Sequence, residues 1–198
     1  MRWLQSIILL ALLAGCRGTP EQAASSAQQR WQDEADRLAH EILILDGHVD
    51  LPFRLYRSFE DVSVGTDSGH FDYPRARQGG LDAPFMSIYV PSSYEGKPEA
   101  KQVADEQIAI VERLVSEHPD KFALATSADE IEAAFAAGKI ALPMGMENGA
   151  AILGDLENLR SFFERGIRYL GLTHDKDNHL GDSSFDERHT WSGLSPFG

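Results

Sequence analysis

The sequence predicts an α/β protein built on a parallel sheet, and three observations carry that reading. Short aliphatic runs with apolar residues on consecutive positions recur along the chain, as in strands buried on both faces. Amphipathic segments with a helical period lie between them. The two kinds of segment alternate after residue 42 with no visible repeat, an order that gives crossover helices over an open doubly wound sheet or a barrel.

The first segment stands outside that pattern. Residues 4–14, LQSIILLALLA, form a mostly apolar run of 11 behind Arg2, too short for the roughly 20 helical residues that span a bilayer core. It reads as the h-region of a secretory signal, and Leu13, Ala14, Gly15 and Cys16 resemble a lipobox, in which the Cys is acylated after cleavage. Ordinary signal cleavage, an uncleaved anchor or a chance Cys are the competing readings. The expected division is a signal over residues 1–15, an Ala-, Ser- and Gln-rich spacer over 16–29, and one domain over 30–198.

Within that domain, charges interleaved with Trp31, Ala35, Leu38 and Ala39 predict a short helix over residues 30–41. Residues 42–45 predict the first strand, and residues 85–90, 122–125, 140–146 and 167–172 the next four. Val103, Ile108, Val111, Leu114 and Val115 keep a helical period over 99–117, with Pro119 just beyond. Ser127 and Glu130 fit a capping box for a helix ending near Gly138, and residues 155–165 end the same way at Gly166.

Composition limits the function. Eighteen Lys plus Arg against 31 Asp plus Glu give a net charge of -13, which argues against a nucleic-acid partner. The excess is read as a solvated acidic surface or a field that attracts metal ions. A hydrophobic content of 42% argues against disorder, and a single Cys excludes a disulfide framework and a Cys-based zinc cage. The 198 residues fall short of the roughly 250 typical of a closed (β/α)₈ barrel.

Catalytic groups of such folds stand at the C-terminal ends of the strands. The first strand runs into Asp46-Gly47-His48-Val49-Asp50, and residues two apart in a strand share a face, so His48 and Asp50 can address one ion. Seven His and 16 Asp in 198 residues give about half of one H-x-D triplet by chance, so context decides. His118-Pro119-Asp120 has the same spacing but sits in a turn after a helix, and reads as a solvated loop. Glu147 ends the fourth strand, where a carboxylate is costly to bury unless paired or metal-bound. His174 follows the fifth. His40, His70 and His118 have no such position. Nitrogen and oxygen donors without a thiolate suit zinc or another divalent first-row metal, so the residues themselves predict a metal-assisted hydrolase. The Gly181-Asp182-Ser183-Ser184 run lacks the G-x-S-x-G elbow of a serine hydrolase.

Five blocks then carry a family resemblance: LDGHVDLP (45–52), GGLDAPFMSIYVP (79–91), GMENGAAI (145–152), RYLGLTHDKDNHLGDSS (168–184) and GLSPFG (193–198). In this order they resemble the membrane (renal-type) dipeptidases, a family of zinc peptidases. The resemblance implies the N-terminal portion of a (β/α)₈ TIM-type barrel and a site with two zinc ions. His48 and Asp50 would bind one ion, Glu147 would bridge the two, and His174 would contact the substrate near the scissile carbonyl without binding metal. A hydroxide between the metals would attack the peptide bond of a dipeptide, and the polar stretch 177–188 would shape the mouth, with Asn178 and Asp182 as substrate-binding candidates. The family pattern also holds two further ligand histidines, an arginine for the substrate carboxylate and a late aspartate, all after the GLSPFG block. The expectation is therefore that this chain lacks the C-terminal half of the barrel and is inactive by itself. Cys16 would place it on the bacterial cell envelope, lipid-anchored to a membrane and facing the periplasm or the exterior. The alternatives are a non-catalytic lipoprotein with a partial metal-binding surface, or another barrel amidohydrolase. The last usually opens with H-x-H, whereas position 50 is Asp.

Overall fold

The computed structural model describes residues 20–198; the signal and lipobox reading, Cys16 included, lies outside them. A first compact unit ends at Arg37 and a second runs Leu38–Gly198. Helix α1 (Pro20–Glu41) starts ten residues earlier than expected, so residues 20–29, read as a spacer, are helical. Ala, Gln and Glu favour that state, and Pro is tolerated in a first turn. Its exposed surface is laced by local pairs, Gln29 Nε2 to Asp33 Oδ1 at 2.8 Å and Arg37 to Glu34 at 2.6 Å. No described helix is long and apolar enough to cross a membrane.

The second unit is α/β with only parallel strand pairs within its sheets. Strands β1 (Leu45–Val49), β2 (Ala83–Tyr89), β5 (Met144–Glu147) and β6 (Ile167–Gly171) form one sheet in the order β1-β2-β5-β6. Strands β3 (Phe122–Leu124) and β4 (Ile140–Leu142) form a second, two-stranded sheet. The run 140–146, expected as a single strand, is split at Pro143. Proline has no N–H to give a ladder, but its carbonyl still accepts from Met86 N at 2.7 Å. The residues before it pair with β3 and those after it with β2 and β6, so one run serves two sheets.

Helices α2 (Leu51–Arg57), α3 (Tyr73–Gly79), α4 (Glu99–Glu117), α5 (Ala128–Ala136) and α6 (Leu156–Glu164) complete the unit. The span of α4 is the one its periodicity predicts, and its Ile108, Val111 and Leu114 are buried with Leu55, Met86, Ile88, Phe122, Ile140, Met146 and Phe162 in one core. Full burial of side chains of this size is worth roughly 1.5–3 kcal/mol each. Ser127 caps α5 by accepting from Glu130 N, but Glu130 reaches past the cap to Thr126 N, an enlarged version of the expected box. Asp155 caps α6 by accepting from Glu157 N. Helices α2 and α3 were not anticipated, because seven residues are too few to show a period. Local chemistry sets them instead: each has Pro in its first turn, and α3 opens on Asp72 and closes on Gly80 at φ 75.

Candidate functional site

Strand β1 begins later than the aliphatic run 42–45 suggests and extends to Val49, so His48 lies inside the strand rather than beyond it. Asp50 follows as the residue before α2, Glu147 is the last residue of β5, and His174 stands three residues past β6. The first three converge: Nε2 of His48 is 3.1 Å from Asp50 Oδ1 and 3.1 Å from Glu147 Oε2. Strand β2 separates β1 from β5, two spacings or roughly 9.6 Å in a flat sheet. Inward-pointing side chains on a curled sheet close that gap.

Small residues make the convergence physically allowed. On β2 the inward position between His48 and Glu147 is Ser87, fully buried, whose hydroxyl donates to Glu147 Oε2 at 2.9 Å. On β5 the residue paired with Tyr169 of β6 is Gly145, and a Cβ there would lie 2.0 Å from Tyr169 Cζ. The vacant space lets the phenol ring lie across β5, against Phe85 of β2 at 5.3 Å, and reach β1. There its hydroxyl donates to Gly47 O at 3.2 Å and lies 3.2 Å from Nδ1 of His48. A phenol has one proton; with that proton on the Gly47 carbonyl, the hydroxyl accepts from Nδ1–H, and the lone pair of His48 falls on Nε2.

That lone pair faces two carboxylate oxygens with no donor between them, an arrangement a cation satisfies. Ligands about 2.0–2.2 Å from one zinc stand roughly 3.4 Å apart in a tetrahedron, close to the 3.1 Å observed here. Among the described residues this is the one cluster of three or more His, Cys, Asp or Glu donors that could hold a metal ion. Burial raises the Tyr169 hydroxyl above its ordinary pKa, and the charges of Glu147, Asp50 and Asp46 push it further, which keeps it protonated beside His48. His48 and Asp50 line a cleft of about 470 Å³ together with Asp46, Arg54, His70 and Phe71.

His174 sits on the other oxygen of Glu147, with Nε2 3.2 Å from Oε1. Its Nδ1 is 3.1 Å from Asp175 Oδ1, and its ring packs on Tyr89 at 4.9 Å. The bond to His174, then one to Ser92, lowers the Asp175 carboxyl below its usual range.

The two substrate-binding candidates are placed elsewhere. Asn178 is buried, and its carboxamide is consumed by Asn148, Leu172 O, Leu180 N and Gly181 N. The Asp182 carboxylate accepts from Trp191 N and Gly193 N and holds the turn of its own loop. Both are polar because the irregular segment 172–198 has backbone groups to satisfy, which is the ordinary reason for Asn and Asp in a loop. Sequence reasoning overlooked Ser87, Tyr169, Asn148 and Asp175. A Gly and a Tyr at facing positions of adjacent inner strands is a signal for Tyr169 once the register is known.

The family model for membrane dipeptidase (peptidase family M19) matches residues 32–198. Dipeptidase ataJ of Aspergillus terreus is 36% identical over 180 residues, covering 83% of this chain and 43% of the relative. Dipeptidase 3 of Rattus norvegicus is 34% identical over 178 residues, covering 85% of this chain and 36% of the relative. The crystal structure of the metallopeptidase dipeptidase AC superposes with a TM-score of 0.65 at 28% identity over 71% of this chain and 45% of that one. A Rhodobacter sphaeroides metallopeptidase, solved with a phosphinate mimic of the dipeptide L-Ala-D-Ala, gives 0.64 at 27% identity over 71% and 48%. The chain thus spans less than half the length of these relatives, and the solved dipeptidase structures it resembles have the TIM-barrel fold. The chain belongs to the membrane dipeptidase family, peptidase family M19.

Proposed function

We propose that this chain carries the first part of a metallo-dipeptidase centre, in which His48, Asp50 and Glu147 hold zinc and His174 acts on the substrate carbonyl. The observation that carries the reading is the convergence of His48 Nε2 with two carboxylate oxygens, while His174 stands on the far oxygen of the same Glu147. In the two-zinc site that the family implies, Glu147 would help to hold the metal together with His48 and Asp50. When bound, such ions supply Lewis acidity toward a carbonyl and lower the pKa of water.

The chain's own residues do the rest. Tyr169 keeps the imidazole of His48 turned with Nε2 inward, and Ser87 fixes the rotamer of Glu147. Asp175 and the Tyr89 ring hold His174 from one side, so its Nε2 edge remains directed to the space above Glu147. From there it polarises a carbonyl or donates to the oxyanion that develops on it. A dipeptide is the substrate class we assign, supported by the dipeptide mimic bound in the R. sphaeroides relative.

The test is zinc-dependent binding of a phosphinate L-Ala-D-Ala mimic to the purified chain, lost in Glu147→Gln. Zinc bound through His48 with no affinity for the mimic would instead support a metal-binding surface without catalysis.

Export and acylation at Cys16 complete the proposal, with the chain tethered to a membrane of the cell envelope. Mass spectrometry of the membrane fraction should find a lipid-modified N-terminus at Cys16, and Cys16→Ser should release the chain into the soluble fraction. A soluble wild-type chain with an unmodified terminus would sink this part.

A further inference from the structure

Two buried carboxamides join the C-terminal ends of three strands immediately behind the candidate site. Asn148 follows Glu147 directly, is 1% exposed, and has φ 72, a left-handed conformation that Asn tolerates better than most residues. Its Nδ2 donates to Val90 O at 2.7 Å, just past β2, and its Oδ1 accepts from Ala150 N at 3.3 Å. Asn178, 6% exposed, donates from Nδ2 to Asn148 Oδ1 at 3.0 Å and to Leu172 O at 2.7 Å, just past β6. Its own Oδ1 accepts from Leu180 N and Gly181 N at 2.8 and 3.3 Å, so its hydrogen-bonding capacity is filled. Gly149 N closes the same junction on Leu172 O at 3.2 Å.

The three anchored points flank the reactive side chains. Val90 follows Tyr89, whose ring packs on His174; Asn148 follows Glu147; Leu172 lies two residues before His174. Neither carboxamide is hydrogen-bonded to His48, Asp50, Glu147 or His174 side chains, and both are removed from solvent. Deleting Asn178 leaves Asn148 Oδ1 with one partner in place of two, and deleting Asn148 leaves one buried N–H of Asn178 unmatched, so the pair is fully satisfied only when the strand ends keep this spacing.

We propose that Asn148 and Asn178 form a positioning bridge that fixes Glu147 relative to His174, and with it the metal geometry. The proposal rests on the reading of His48, Asp50 and Glu147 as metal ligands. Its test uses the 198-residue chain, with Co²⁺ as the probe because its visible absorption reports coordination geometry. Asn178→Ala is expected to weaken Co²⁺ binding about tenfold, the scale of outer-shell losses at metal sites, and to shift the absorption bands. Phe162→Leu, in the core on α6, serves as a control of comparable thermal destabilisation and should move neither. Asn148→Asp, which keeps the acceptor but loses the bond to Val90 O, replaces Asn178→Ala if that variant does not fold. An unchanged affinity and spectrum in the folded bridge variant would overturn the proposal, leaving only a stabilising role.

Failure of the underlying metal reading is separable. If the wild type takes up no Co²⁺, the ligand assignment falls, and the bridge is judged in metal-free protein from the ring-proton shifts of His174, which Tyr89 displaces. Loss of that displacement in the bridge variant but not in Phe162→Leu supports the bridge, and unchanged shifts overturn it.

Discussion

The hydroxyl of Tyr169 stands 3.2 Å from Nδ1 of His48, although the two residues belong to the opposite edge strands of a four-stranded sheet. That contact determines which imidazole nitrogen faces Asp50 and Glu147. Tyr169→Phe removes the acceptor while keeping the ring that packs on Phe85. Zinc affinity, measured by competition with a chromophoric chelator, should fall about tenfold with little change in thermal stability. Unaltered affinity would mean that the phenol does not set the orientation of His48.

Gly145 is the other half of that contact. A methyl group there meets Tyr169 Cζ at 2.0 Å, and the neighbour it strikes is a ring wedged between strands, not the free end of a flexible chain. Gly145→Ala should therefore cost about 1–3 kcal/mol in urea unfolding, the range for overpacking. It should also reproduce the weakened zinc binding of Tyr169→Phe. Combining the two substitutions should add little further loss of affinity, because both act through one hydrogen bond.

The legibility of this molecule in its sequence follows the range of the physics involved. Alternating apolar runs and helical periods are local, and they located the span of α4 and most strands. The H-x-D pair was readable because the two-residue period of a strand brings His48 and Asp50 to one face, and the contact holds although Asp50 lies past the strand end. Pro143 divided a run that looked uniform, because what separates β4 from β5 is a change of partner strand, and partner choice is not local. Tyr169 and Ser87 were missed for the same reason. In a run such as residues 167–172 a Tyr reads as core, and its role depends on a glycine more than twenty positions away. Asn178 shows the converse: a polar loop residue suggests a ligand contact in the sequence, whereas in the structure its hydrogen bonds run inward to Asn148 and Leu172.

Metal removal gives a prediction that needs no turnover. A ligand that binds only the folded chain stabilises it in proportion to the logarithm of its concentration over Kd, about 2.7 kcal/mol at a hundredfold excess. Unfolding in zinc at that excess and in a chelator should differ by roughly this amount in the wild type. The difference should vanish in His48→Ala, a change at a side chain exposed enough to leave the fold intact. Equal stability with and without zinc in the wild type would count against the site.

Acid acts on a carboxyl that lies apart from His48, Asp50 and Glu147. Burial of Asp72 by itself would raise its pKa, but the N–H groups of Arg75 and Thr66, with the Arg75 guanidinium at 2.7 Å, outweigh it and hold the carboxyl below its ordinary value. A carboxyl depressed on folding binds fewer protons in the native than in the unfolded state, so it stabilises the fold above the ordinary carboxylate range. That contribution shrinks as pH falls through about 4 and is lost once the pH is below the depressed native value. Asp72→Asn keeps a competent helix cap but cannot carry the charge. Urea midpoints between pH 7 and pH 3 should therefore decline less steeply in Asp72→Asn than in the wild type, with the gap between the two proteins narrowing at the acid end. Parallel declines would show that Asp72 takes no measurable part in acid unfolding.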